Sequence, residues 1–425
     1  MNGSDRLTLT PPQRRDLLRW IAMAPAAGVL GSLAACGGGG DEPPPEEIGS
    51  GVLDFTPANQ AATFRNVDRL SATHRIARGA QSTALAAHRT SLAGLTYSYG
   101  GKTVSIDDYM ARNRTSGLIV LKHGAVALER YGMGNTASSR WTSFSAAKSI
   151  TSTLVGAALH DGSIESLDDL VTRYVPVLRG SAYEGVTVRQ LMRMTSGVAW
   201  DESYSSAGTS DIAKLSAVTR DRQTGGLLQV MRGLSRAAPP DTAFLYSTGE
   251  TIVEGAVVVG ATGKPLSTYL SEKIWAPAGM EADAYWVAES DVGLDFGGGL
   301  ISATLRDYAR FGQFFLKDGV VGGTQVLPTG WRDLAGHPDN PVTDYGRLYA
   351  GYPLGYGYNW WSFEPGAIPL FDGSFTAQGI FGQFIYVNPV EDVVAAIWSA
   401  WPMAWVDESE TETYTLLANA LAALR

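Results

Sequence analysis

The chain has 425 residues, 45% hydrophobic and 18% charged, so it can bury a sizeable core and is neither disordered, collagen-like nor coiled-coil in composition. Acidic residues outnumber basic ones by 42 to 33, for a net charge of −9 with no basic block. That argues against a nucleic-acid partner, whose phosphates need Lys/Arg neutralisation.

Residues 1–35 read as a targeting segment. Arg14-Arg15-Asp16-Leu17-Leu18 resembles a twin-arginine export motif. The apolar run at 20–35, interrupted by Pro25, is shorter than the ~20 residues a membrane span needs. It ends in Leu33-Ala34-Ala35-Cys36-Gly37, which resembles a bacterial lipobox, where the cysteine takes a diacylglycerol. Cys36 is the only cysteine, so no intramolecular disulfide or thiolate metal site can form. The expectation is an exported protein held to the cell envelope by a lipid on Cys36. Gly37, where an Asp would signal retention, favours the outer membrane. Residues 36–52, four glycines followed by an acidic proline-rich stretch, read as a flexible, then stiff tether. A folded domain is expected over 53–425.

Along that domain, residues 118–121 and 125–131 read as a β-hairpin about Lys122-His123-Gly124. Residues 141–160 read as a buried helix of small and apolar residues, and 188–194 as a short helix stopped by Ser196-Gly197. Further helix is expected at 212–234, 252–274, 302–317 and 330–334. Strands return at 355–361, 375–379, 383–387 and 393–399, before a helix at 411–424. Strands at both ends with helices between imply an α+β fold: one antiparallel sheet built from both termini, flanked by helices. A mostly helical region lies beside it at about 160–300.

The chemistry starts from what is missing. The chain has no His-Glu-x-x-His, Cys-x-x-Cys, Walker-type glycine loop or Gly-x-Ser-x-Gly elbow. Its histidines (74, 88, 123, 160 and 337) show no metal-ligand spacing. Against that blank stands Ser145-Ala146-Ala147-Lys148-Ser149 at the start of the expected helix. Residues three apart share a helix face, so the Ser145 Oγ and Lys148 Nζ can meet. A helix N-terminus also offers N–H groups to a developing oxyanion. The apolar flanks desolvate the lysine and favour its free amine, a base. Lys148 is the only lysine with a serine three residues before it. On spacing alone, an N-capping serine beside a surface lysine explains the tetrapeptide as well. The apolar setting argues against that.

A second element, Tyr246-Ser247-Thr248, follows Pro239-Pro240-Asp241; its phenol could carry a proton to a leaving group. A third, Ala377-Gln378-Gly379-Ile380, ends a strand where glycine allows a ligand to approach the backbone. Taken separately, these are a packed loop tyrosine and a glycine-rich hairpin.

Together the three elements, with Leu191–Gly197 and residues 300–311, resemble the serine β-lactamase and penicillin-binding-protein superfamily. The similarity covers roughly residue 95 onward and is greatest to the class C-like branch of esterases and 6-aminohexanoate-dimer hydrolases. The resemblance implies an antiparallel sheet flanked by helices plus an all-helical region. It also implies Ser145 as acylated nucleophile, Lys148 as its base and Tyr246 as proton carrier. The backbone N–H groups of Ser145 and Ile380 would form the oxyanion hole, and no metal or organic cofactor is required. Tyr204 aligns with a loop tyrosine over the leaving group, while Thr248 and Gly379 would border the substrate. The departures are instructive. Penicillin-recognising members carry a cation where this chain has Ala377, and commonly an Asn where it has Thr248. A small linear amide or ester is therefore the expected substrate. The alternatives are a β-lactamase or D,D-peptidase on cell-wall-type substrates, and a non-catalytic binding protein on the same fold.

Overall fold

The computed structural model describes residues 46–204, 208–348 and 353–425. The expected targeting segment, including Cys36 and most of the tether, lies outside the described residues. Among those described, no helix is long and apolar enough to cross a membrane.

A seven-stranded antiparallel sheet organises the chain, in the order Leu354–Tyr356, Trp361–Phe363, Phe375–Gly379, Gln383–Asn388, Val393–Ser399, Thr115–Lys122, Ala125–Tyr131. The sheet expected from both termini is therefore present: the early hairpin joins the late strands through the pairing of Val393–Ser399 with Thr115–Lys122. Thr115–Lys122 is buried along its whole length, which explains its unbroken Leu-Ile-Val-Leu run. Ile119 and Leu121 join one core; Leu118 and Val120, on the opposite face, join another. The first core holds the helices Ala147–His160, Thr248–Thr262 and Leu305–Leu316. The second holds the C-terminal helix Asp407–Ala423 and the hairpin Thr96–Tyr99/Lys102–Ser105.

Several expected helices are shorter or divided. Residues 141–160 split: Arg140–Thr142 is a strand paired with Ile301–Thr304, and only Ala147–His160 is α-helix. Those short strands belong to a second, four-stranded sheet with Thr73–Ile76 and Ala284–Val287, which the sequence did not announce. The stretch 302–317 likewise begins as strand and turns helical where the Thr304 side chain caps the Asp307 N–H. The stretch 252–274 breaks at Gly263, whose φ of +70° ends the first helix just before Pro265. Residues 212–234 form two helices, Asp211–Arg220 and Gly226–Arg232. Residues 355–361 fold back as two short strands, with Asn359 in the left-handed region at φ +60° between them.

The helix Ala147–His160 is buried from Ala147 to Ala158. It can be enclosed on all sides because its side chains are small and its hydroxyls are bonded. Ser149 Oγ donates to the Asn359 carbonyl at 2.6 Å, and Thr151 Oγ1 to that of Gly297 at 2.6 Å. Gly156 packs against the Trp331 indole so closely that a Cβ there would sit 2.5 Å from it. Gly156→Ala, a change that ordinarily favours a helix, is expected here to destabilise by ~1–3 kcal/mol through overpacking. Urea unfolding checks the sign; unchanged or increased stability would show that Trp331 yields freely.

Candidate active site

Ser145 lies in a short 3-10 turn, Phe144–Ala146, directly ahead of the helix that carries Lys148. It is partly exposed, whereas its neighbours Phe144 and Ala146 are buried. Phe144 has a φ of +43°, which costs a bulky residue ~1–3 kcal/mol. Packing against Phe64 and Phe381, with ring centroids 4.9 and 5.3 Å away, holds it there. Ser143, just before it, is pinned in turn: its N–H donates to the Ile301 carbonyl at 2.7 Å, and its Oγ accepts from the Ile301 N–H at 3.0 Å.

Lys148 is 1% exposed, and its Nζ has three partners: Ser145 Oγ at 3.0 Å, Thr248 Oγ1 at 2.8 Å and the Gly298 carbonyl at 2.8 Å. The Thr248 hydroxyl proton is already committed to Glu202 Oε1 at 2.5 Å, so Thr248 can only accept from the lysine. The Gly298 carbonyl is an acceptor by nature. Two N–H bonds of a neutral amine thus have fixed destinations, which leaves its lone pair for the Ser145 O–H. Burial lowers the Lys148 pKa to about 8, against the opposing pull of Glu202 and Glu254. The free amine therefore grows in across neutral to mildly alkaline pH.

Glu202 is the functional residue that sequence reasoning missed. Its carboxylate accepts from the Thr248 N–H at 2.9 Å, Thr248 Oγ1 at 2.5 Å, Tyr204 OH at 2.7 Å and the Trp200 indole N–H. Its only sequence signal was an acid two residues before Tyr204, too common a pattern to single out.

The remaining expected residues gather at the same place with altered surroundings. The Tyr246 ring faces Lys148, with Nζ 5.1 Å from its centroid, and stacks on Trp361 at 5.8 Å. Tyr204 is partly buried, its hydroxyl held by Glu202; burial, with Glu202 and Tyr246 adding, raises its pKa well above the ordinary value. Thr248, expected to border the substrate, is 2% exposed, and its hydroxyl is spent between Lys148 and Glu202. Within the folded chain, then, its hydroxyl links the lysine to Glu202. Gly379, expected to let a ligand approach, is also required by the protein itself. A Cβ there would lie 2.5 Å from the Ser143 carbonyl oxygen. That contact brings the end of strand Phe375–Gly379 against the turn that carries Ser145. Ile380 follows, partly exposed, and its carbonyl accepts from Gln383 Nε2 at 3.2 Å. Ala377 is fully buried in the core shared with the helix Ala147–His160. Of the tryptophans that could line a cleft, Trp360, Trp398 and Trp401 are buried, while Trp200, Trp361 and Trp405 are partly exposed.

The chain matches the Beta-lactamase family model over residues 105–420. It belongs to the β-lactamase family. A 6-aminohexanoate-dimer hydrolase from Paenarthrobacter ureafaciens is 32% identical over 294 residues, 68% of this chain and 73% of that one. Penicillin-binding protein 4 of Amycolatopsis lactamdurans is 28% identical over 303 residues, 63% of this chain and 73% of that one. A solved Bacillus anthracis structure, provisionally assigned as a 6-aminohexanoate-dimer hydrolase, shares the fold with a TM-score of 0.77. It is 21% identical and covers 88% of this chain and 97% of its own. Homology thus places the chain among hydrolases of the β-lactamase fold.

Glu202 raises the Lys148 pKa, since a nearby negative charge favours the ammonium. Glu202→Gln removes that charge, so the acid limb of kcat/KM should move to lower pH. The pH–rate profile on p-nitrophenyl butyrate measures it, and a limb displaced upward would contradict the electrostatic reading.

Proposed function

We propose that this chain is a serine hydrolase of small linear amides or esters, acting through an acyl-enzyme on Ser145. One observation carries the proposal: a buried lysine whose two N–H bonds are occupied and whose third contact is Ser145 Oγ at 3.0 Å. As Ser145 Oγ attacks the carbonyl carbon, its proton passes to Lys148 Nζ. The tetrahedral intermediate places its oxyanion at the N–H groups of Ser145 and Ile380, where one such donor is worth ~3 kcal/mol. Collapse breaks the C–N or C–O bond; the leaving amine or alcohol takes a proton by way of Tyr246, and the acyl group stays on Ser145. Water, deprotonated by the same lysine, then releases the acid. The chemistry calls for no metal or organic cofactor.

The preference for a linear substrate is supported by position 377. A carboxylate-binding cation there would mark penicillin recognition, and this chain has a buried alanine. The 32% identical 6-aminohexanoate-dimer hydrolase supports the same choice. The second reading, a β-lactamase or D,D-peptidase, is favoured by the likeness to a penicillin-binding protein and opposed by Ala377. Purified protein should turn over p-nitrophenyl butyrate and the linear 6-aminohexanoate dimer, with kcat/KM for a penicillin at least 10²-fold lower. Ser145→Ala should abolish all three activities. A penicillin hydrolysed best would overturn the substrate assignment, and full turnover by Ser145→Ala would overturn the mechanism.

Export and a lipid anchor at Cys36 complete the proposal, supported by the Arg14-Arg15 pair and the Leu33–Gly37 pattern. Radiolabelled palmitate should enter the wild-type chain expressed in a double-membrane bacterium and be absent from Cys36→Ala. Equal labelling of both would remove the anchor.

A further inference from the structure

Two acids flank Lys148 electrostatically, and their surroundings are opposite. Glu202 collects donors on both oxygens. Glu254, on the helix Thr248–Thr262 that packs against the nucleophile helix, is 0% exposed and poorly served. Its Oε2 accepts a neutral amide N–H from Asn359 at 2.6 Å, and its Oε1 has no hydrogen-bond partner. One helical turn earlier on the same face lies Glu250, 3% exposed, whose Oε1 accepts from Ser196 Oγ at 2.7 Å and Tyr183 OH at 3.1 Å. Its Oε2 is likewise without a partner.

The Lys148–Glu254 pair can lose its first proton from either group. Loss from the carboxyl leaves an ammonium beside a buried carboxylate; loss from the lysine leaves an amine beside a neutral acid. A buried carboxylate with an unbonded oxygen and a like charge one turn away is costly. We propose that Glu254 is a positioning residue that stays a neutral carboxylic acid through the working pH range, so that the proton released as pH rises comes from Lys148. The assignment rests on the Ser145–Lys148 reading above and explains how a lysine beside a glutamate can still be a base. Environments that push neighbouring groups apart in this way divide their roles.

The other groups facing the pair agree. Burial raises Glu254 well above the usual carboxylate range; the Asn359 amide and Lys148 oppose this, and Glu250 adds to it. Burial pushes Glu250 up to about 7 against its bonds to Ser196 and Tyr183 and the charge of Arg236. Glu202 acts on Lys148 from the opposite direction, favouring the ammonium.

Infrared titration of the whole protein tests the proposal without substrate, so a failure of the hydrolase reading would show separately as absent acylation. In Glu250→Gln, where the neighbouring acid no longer contributes, a carboxylic-acid C=O band should be present at pH 7 and disappear when Glu254→Gln is added. In the same Glu250→Gln background, Lys148→Met should leave the pH at which that band is lost unchanged, because the lysine is already a neutral amine when Glu254 ionises. This arm stands even if Glu254→Gln does not fold. In burst acylation, Glu254→Gln should keep its acid limb at the wild-type pH. A missing band at pH 7, a band carried to higher pH by Lys148→Met, or a limb displaced to lower pH by about a unit would each show that Glu254 is a carboxylate and overturn the proposal.

Discussion

The site depends on a buried lysine that gives up its proton far more readily than one in water. Lys148 loses nearly all contact with water, and burial is what brings its pKa to about 8. Desolvation alone would leave its N–H bonds undirected. Thr248 Oγ1 and the Gly298 carbonyl give them fixed acceptors, and the remaining direction points at Ser145. Thr248 is a reliable acceptor only because Glu202 holds its proton. A carboxylate two bonds away thereby orients the lysine without touching it.

Much of the fold serves this arrangement. The helix Ala147–His160 lies between the large sheet and the helix Thr248–Thr262, and close approach on each side requires small residues. A Cβ at Gly298 would lie 2.5 Å from the Thr248 methyl, and one at Gly379 would meet the Ser143 carbonyl. These two glycines bring the Lys148 acceptor and the Ile380 strand end within reach of one serine. Asn359 ties the same region together: its carbonyl takes Ser149, its amide reaches Glu254, and its Oδ1 accepts from Tyr356 OH at 3.1 Å. Tyr356 in turn packs edge-on to Tyr246, with ring centroids 6.2 Å apart.

What was legible in the sequence was whatever repeats locally. The Ser145–Lys148 spacing, the hairpin at 118–131 and the late strands are short-range patterns, and the structure contains each of them. The four-stranded sheet was hidden because its strands have only three or four residues, too few for alternation to show, and sit beside helical stretches. Glu202, Glu254 and the true duty of Thr248 were hidden for another reason. Their significance lies in contacts across long sequence separations, such as Thr248 with Lys148 a hundred residues earlier. A threonine in place of asparagine suggested a lost ligand contact; in the folded chain its hydroxyl joins Lys148 to Glu202.

The central claim is that Lys148, as a free amine, removes the Ser145 proton. Intact-mass spectrometry of the protein quenched milliseconds after mixing with p-nitrophenyl butyrate, across a pH series, tests it most directly. The account predicts one butyryl adduct on Ser145, forming at a rate that rises with an apparent pKa near 8 and falls by orders of magnitude in Lys148→Ala. An adduct on another residue, or one that forms at the same rate in Lys148→Ala, would contradict it.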